Sequence, residues 1–282
     1  MKPFLKWAGG KRQLLDTLRL FVPHDFADYY EPFVGGGAMF FDLQLNSPGH
    51  RSYISDSNGR LMSTYGAVKD ELEEVVKNLE LYKKAHDVRG KDFYYEARES
   101  IPQEIPKLAA WMIFMNKTCF NGLYRVNKGG AFNVPYGKYA DPKILDLDNL
   151  SSCSKALQSC YVMHGDFRQI LDEPVEGDLV YIDPPYIPVS ETSNFTAYTK
   201  QSFGPKDQED LAALAKKLTE DGVYVIISGS GSEETLSLYK DSFNVYEVAA
   251  KRSINSKAEN RGEIKEYIFS NNHKAKLKRG KK

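Results

Sequence analysis

The residues best equipped for chemistry lie at 179–186, where the apolar run Leu179-Val180-Tyr181-Ile182 ends on Asp183-Pro184-Pro185-Tyr186. An acid that closes a short apolar strand sits at the carboxyl edge of a sheet, where open α/β folds bind their ligands. Pro184 and Pro185 fix the backbone and remove two N–H donors, so the turn presents acceptors. Asp183 and the Pro184 carbonyl could each take one hydrogen of a planar exocyclic amine. That would draw its nitrogen toward tetrahedral geometry and localise the lone pair. Tyr186 offers a face for stacking on a base. A plain rigid turn is the other reading of two prolines after a strand.

Two further motifs can hold a ligand. Glu31-Pro32-Phe33-Val34-Gly35-Gly36-Gly37-Ala38 runs from a strand through Gly-x-Gly into a helix, which lets a ligand approach the backbone closely. Asp56 ends the next strand, 21 residues after Gly35, where an acid binds ribose hydroxyls in nucleotide folds. The same pattern fits a dinucleotide site, although Phe40 stands where a third glycine would be. Lys6-Trp7-Ala8-Gly9-Gly10-Lys11 is no P-loop, because the glycine spacing is absent and Arg12 follows Lys11 in place of Ser or Thr. An ordinary N-terminal loop whose Trp7 packs on the core fits it as well.

The elements that must position these motifs alternate. Residues 29–33 read as a strand, 38–45 as a helix and 51–55 as a strand. Helical spacing follows over 61–82, with Leu72, Val75, Val76 and Leu79 on one face, and again over 94–114, interrupted by Pro102 and Pro106. Residues 116–139 read as irregular loop and hairpin. Alternation resumes with strands at 161–163 and 178–183, a helix at 206–219, a strand at 223–227 and a helix at 232–239. Strands at 243–249 and 266–269 close the sheet. The order predicts an α/β fold with a doubly wound, mostly parallel, Rossmann-like sheet. Residues 1–56 and 160–270 would form it, 57–159 an inserted, mainly helical domain, and 271–282 a basic tail.

Charge narrows the partner. The net charge of zero hides 11 Lys/Arg against 3 Asp/Glu from Lys251 onward. Residues 116–140 hold Lys117, Arg125, Lys128 and Lys138 with no acidic residue. Two basic stretches in a neutral chain fit a face that meets phosphates, although a frayed solvated tail accounts equally well for 274–282. Three cysteines without Cys-x-x-Cys spacing and five scattered histidines point to no metal site. No apolar run reaches the length of a membrane span, and the N-terminus has no signal-peptide pattern, so the expected setting is cytoplasmic.

Taken together, Lys6 to Lys11, Glu31 to Ala38 and Asp183 to Tyr186, with Phe-Asn-Gly-Leu-Tyr-Arg-Val-Asn at 120–127 and Phe-Asn-Val-Pro-Tyr-Gly-Lys-Tyr at 132–139, resemble the Dam-type DNA adenine-N6 methyltransferases. The likeness runs from Lys6 to about Phe269. It implies a site-specific enzyme that methylates adenine N6 with S-adenosylmethionine. The Gly-rich motif precedes the Asp-Pro-Pro-Tyr motif, as in the α-group, in which the insertion is the target-recognition domain. By the same resemblance Trp7, Lys11, Asp56 and Asp183 contact the cofactor, and Phe33, Gly35 and Gly37 surround its methionine part. Asp166 and Phe167 would hold its adenine. Phe120, Asn121, Leu123, Arg125 and Pro135 match positions that touch DNA bases or fill the gap left by an extruded base. Arg125 would read guanine and Lys6 could reach another. The family's usual site is GATC; Tyr124 stands in a slot that varies.

Extrusion of the adenine would be followed by direct transfer, without a covalent enzyme intermediate. Phe120 would fill the vacated space or be core. Ser253, Asn255 and Arg261 would add phosphate contacts. The loop 187–200 would close over the base or be a simple exposed loop. The partner is double-stranded DNA, with no membrane and no obligate protein partner, and a monomer is the default. Alternatives are transfer to cytosine N4, to RNA or to a protein glutamine, for which Ser or Asn at 183 would speak. A non-catalytic DNA-binding module and a nicotinamide oxidoreductase complete them.

Overall fold

The computed structural model describes residues 1–186, 203–251 and 263–272. Its strands are β1 (Tyr29–Glu31), β2 (Ser52–Asp56), β3 (Cys160–His164), β4 (Leu179–Ile182), β5 (Tyr224–Ser230), β6 (Asn244–Lys251) and β7 (Glu263–Ser270). They form one sheet in the order β3-β2-β1-β4-β5-β7-β6. The pairs among β1 to β5 are parallel, and β7 runs antiparallel to both β5 and β6. The sheet is therefore doubly wound and mostly parallel, as the alternation predicts. The strand order reverses between β1 and β4, which opens the crevice where such folds take ligands.

The helices are α1 (Leu15–Leu18), α2 (Ala38–Asn46), α3 (Gly59–Asp70), α4 (Leu72–Glu99), α5 (Ile105–Thr118), α6 (Leu147–Leu157), α7 (Phe167–Ile170), α8 (Pro205–Glu220) and α9 (Glu233–Tyr239). All four residues of β4 are buried, because helices cover both faces of a central parallel strand. On one face Ile182, Val225 and Ile227 pack with Leu211, Ala215 and Leu218 of α8. On the other, Tyr29 and Tyr181 join Leu18, Met39 and Phe41. That cluster continues without a break through Tyr65 of α3 and Trp111 of α5 to Phe132 of the hairpin.

Three local expectations change. The helical pattern over 61–82 is two helices, which meet at Glu71, a residue of non-helical backbone. Pro106 does not interrupt a helix but begins one, in the first turn of α5, where its missing N–H costs nothing. The helix α6 has no counterpart in the sequence reading. Its Asp, Asn and Ser favour caps and turns over helix interiors, and burial of Leu150, Cys153 and Leu157 decides the matter. The loop 187–200, with Ser253, Asn255 and Arg261, falls outside the described residues, as do positions 273–282 of the basic tail. No helix among the described residues is long and apolar enough to cross a membrane.

Candidate active site

Three strand ends and the N-terminal segment converge at the switch point. After β1 the chain turns at Gly35 and Gly37, whose φ values of +48° and +70° few L side chains adopt. A Cβ on Gly35 would lie 2.7 Å from the Trp7 indole, so the turn and Trp7 are in contact. Trp7 in turn stacks on Tyr124 of the hairpin, with ring centroids 5.5 Å apart. Tyr124 is itself buried, which turns it inward as packing and away from solvent.

Asp56 ends β2. Its carboxylate accepts from the Gly35 N–H at 3.1 Å and from the Asn58 N–H at 2.9 Å, while Tyr65 Oη donates to the Gly35 carbonyl at 3.1 Å. Burial pushes Asp56 up to about 6 against these two amides. Glu31 is buried at the end of β1. It accepts from Tyr29 Oη at 2.8 Å and from the Phe40 N–H at 3.1 Å, and burial pushes it up to about 8. Phe40, in the place of a third glycine, anchors that acid with its amide and fills the core with its ring.

Asp183 follows β4. Lys11 Nζ lies 2.8 Å from its Oδ1 and 3.1 Å from its Oδ2, and donates to the Gly9 carbonyl at 2.8 Å. Lys11 is only 5% exposed, and its ammonium sits over the Tyr186 ring, 4.8 Å from the centroid. Burial alone would discharge Lys11, but the fields of Asp183, Tyr186 and Glu266 outweigh it and hold the charge. Burial pushes the Asp183 carboxyl up while Lys11 pulls against it. The pair is thus an ion pair locked between the N-terminal segment and the sheet. Within the turn, Gln208 of α8 donates to the Pro185 carbonyl at 3.0 Å. The Pro184 carbonyl has no protein donor among the described residues.

Phe33 packs on Phe167 and Phe203, with centroids at 5.4 and 5.6 Å. Asp166 caps α7 by accepting from the Arg168 N–H at 2.9 Å, and Arg168 also reaches Asp207 and Asp210 of α8. Trp7, Lys11, Phe33, Gly35, Gly37, Asp56, Asp166, Phe167 and Asp183 thus come from five separate stretches of chain to one edge of the sheet.

The residues matched to DNA contacts lie elsewhere, on the 118–139 segment. Bridges Cys119–Tyr136 and Val126–Phe132 make it a hairpin, as expected. Phe120 is 44% exposed, which removes the core reading. Its N–H donates to the Pro135 carbonyl at 2.8 Å. Asn121 and Lys138 have left-handed backbones. Arg125 is exposed and donates to Asn133 Oδ1 at 2.7 Å, and Lys128, Pro135 and Lys138 are exposed as well. Leu123 packs against the core. Lys6 lies at the seam: its N–H donates to Asn116 at 2.8 Å and its ammonium sits over the Tyr139 ring. Lys117 is half-buried, and burial with Lys6 and Lys2 brings it down to about 8.

Sequence reasoning passed over Glu31, Gln208, Tyr65 and Glu266 as parts of this site. Glu31 stood within a quoted motif. The other three lie in ordinary helix and strand patterns that carry no local signal.

A doubly wound, mostly parallel sheet thus brings an acid-ended β4, a glycine turn and a strand-end Asp56 together at its switch point. The chain matches the family model of the D12 class N6 adenine-specific DNA methyltransferases over residues 7–254. It is 41% identical to the type II methyltransferase M1.LlaDCHI of Lactococcus lactis subsp. cremoris, over 96% of this chain and 95% of that one. It is also 41% identical to the type II methyltransferase M.MjaIII of Methanocaldococcus jannaschii, over 93% and 95%. Identity to the DNA adenine methylase of Escherichia coli K12 is 33%, over 95% and 94%. The chain belongs to the D12 class of N6 adenine-specific DNA methyltransferases.

Proposed function

We propose that this enzyme binds S-adenosylmethionine at the switch point and methylates N6 of an adenine extruded from duplex DNA, within GATC. The residues present fit the cofactor. The Gly35 turn leaves no room for a side chain, Asp56 ends β2 with a half-exposed carboxylate, and the Phe33–Phe167–Phe203 cluster lies beside exposed Asp166. Asp56 would take the ribose hydroxyls, Phe33, Gly35 and Gly37 the methionine part, and Asp166 with Phe167 the adenine. When bound, the cofactor supplies an electrophilic methyl group on a sulfonium.

The chain's own residues do the rest. Lys11 fixes Asp183 at the end of β4, and Gln208 fixes the Pro185 carbonyl, so the Pro184 carbonyl and Asp183 form a rigid pair of acceptors for the two amine hydrogens. Tyr186 stacks on the base, and Pro184 and Pro185 keep the turn from relaxing. Extrusion costs a few kcal/mol, and exposed Phe120 at the hairpin fills the vacated stack. Arg125 reads guanine with its fork, Lys6 reaches a second base, and Asn121, Leu123 and Pro135 line the path of the strand. Lys117, Lys128 and Lys138 meet phosphates, which makes binding salt-dependent. The enzyme acts as a monomer in the cytoplasm, with residues 57–159 as target-recognition domain, 1–56 and 160–270 as catalytic domain and 271–282 as a basic tail.

The observation that carries this reading is the Lys11–Asp183 ion pair at the carboxyl end of β4, beside a Pro184 carbonyl that no donor among the described residues claims. Transfer of labelled methyl to duplexes with GATC, with GTTC, or with GATC already methylated on both strands tests it. Label in the first alone is expected. Equal label in the GTTC duplex, or label in none, would overturn the GATC assignment, and label in none that persists on random-sequence DNA would overturn the reaction.

A further inference from the structure

Glu266 of β7 is only 7% exposed, and its Oε2 has no hydrogen-bond partner among the described residues. Glu266 pairs in register with Ser230 of β5, the strand beside β4. By alternation along β7 its side chain lies on the side of Ile268, which clusters with Tyr181, two residues before Asp183. Its sequence neighbour Lys265 is engaged elsewhere, 2.7 Å from Glu247. A buried carboxylate needs a compensating charge, and the groups that act on this one are Lys11, Asp183 and Tyr186. Burial pushes Glu266 up, with Asp183 adding to the push and Lys11 opposing it.

The arrangement answers an electrostatic difficulty. Methyl transfer from a sulfonium to a neutral amine breaks a C–S bond, whose electron pair stays on sulfur. The amine lone pair forms the N–C bond, and the positive charge moves from sulfur to nitrogen until the amine proton leaves to a carboxylate or water. A lysine bonded to both oxygens of the acceptor carboxylate makes that carboxylate's environment neutral. Nothing negative is then left to favour the moving charge.

We infer that Glu266 is a positioning residue of the methylation centre: its buried carboxylate acts through space on the Lys11 ammonium that Asp183 pairs with, and adds a negative charge to the buried cluster. Lys11 can then hold Asp183 in place without cancelling its attraction for the cationic donor. This rests on the reading that the site binds S-adenosylmethionine.

The test compares a charged ligand with its neutral product. Binding of S-adenosylmethionine and of S-adenosylhomocysteine is measured by calorimetry at pH 8 for the intact enzyme and for Glu266→Gln. The variant is expected to lose roughly tenfold in affinity for the sulfonium and less than twofold for the neutral thioether. A parallel loss for both ligands, or no loss for either, overturns the inference, since a structural role would weaken the two alike. If Gln does not give a folded protein by its melting temperature, Glu266→Met removes the charge with apolar bulk and is judged by the same ratio. An intact enzyme that binds neither ligand would overturn the cofactor reading itself, and this inference with it.

Discussion

The carboxyl edge of the sheet and the 118–139 hairpin handle charge in opposite ways. At the sheet edge Lys11 and Glu31 are buried, Asp56 and Asp183 partly so, and all four are already partnered. Lys11 grips Asp183, Asp56 takes two backbone amides, and Glu31 takes a phenol and an amide. On the hairpin Arg125, Lys128 and Lys138 stand in solvent, and Phe120 is exposed beside them. On the proposed function, the catalytic edge is organised before any ligand arrives, while the recognition surface waits for its partner to desolvate it. Changes at the edge should therefore disturb stability and rate together, and changes on the hairpin should alter DNA binding alone.

The sharpest test is Asp183→Ala. It should lower methylation by about 10²–10³-fold, the scale on which single preorganised polar groups act. It should also destabilise the fold by roughly 3–5 kcal/mol, because Lys11 is left buried without its partner. Adding Lys11→Met should restore much of the stability and none of the activity. A single variant with an unchanged melting temperature would show that the edge is not locked as described.

Glu31 tests the stability side of that comparison. Its carboxyl is raised from 4.5 to about 8 by burial, so it favours the folded state fully below about pH 4.5 and loses that contribution as pH climbs toward 8. Glu31→Gln, which cannot ionise, should flatten the fall in stability across that window. The difference at its upper end should be roughly 4 kcal/mol. Parallel pH dependence in denaturant titrations of the two proteins would contradict the buried, weakly acidic Glu31.

Arg125→Ala should leave the melting temperature and cofactor binding unchanged. Discrimination at one base pair should weaken by roughly 1–3 kcal/mol. Lys128→Ala should weaken all sequences alike, by a few-fold, and reduce the salt slope by about one unit. If both variants altered only general affinity, the hairpin would be a phosphate clamp and base reading would lie elsewhere.

Much of this was legible in one dimension because the motifs are local. Period and length place Asp183 at a strand end, and the glycines at 35 and 37 need a left-handed backbone whatever surrounds them. Strand order followed less directly, and α6 not at all, because its Ser- and Asn-rich turns are helical only when packed against α3. The sequence by itself determined which residues could polarise an amine and that a helical insertion separates them from the glycine turn. Only the tertiary structure decided that Lys11, 172 residues away from Asp183, is its buried counter-ion. The same packing directs Tyr124 inward onto Trp7 and buries Glu266 with one oxygen unpartnered among the described residues. Those outcomes depend on desolvation and through-space charge, which act between neighbours in space and leave no period or spacing in the chain.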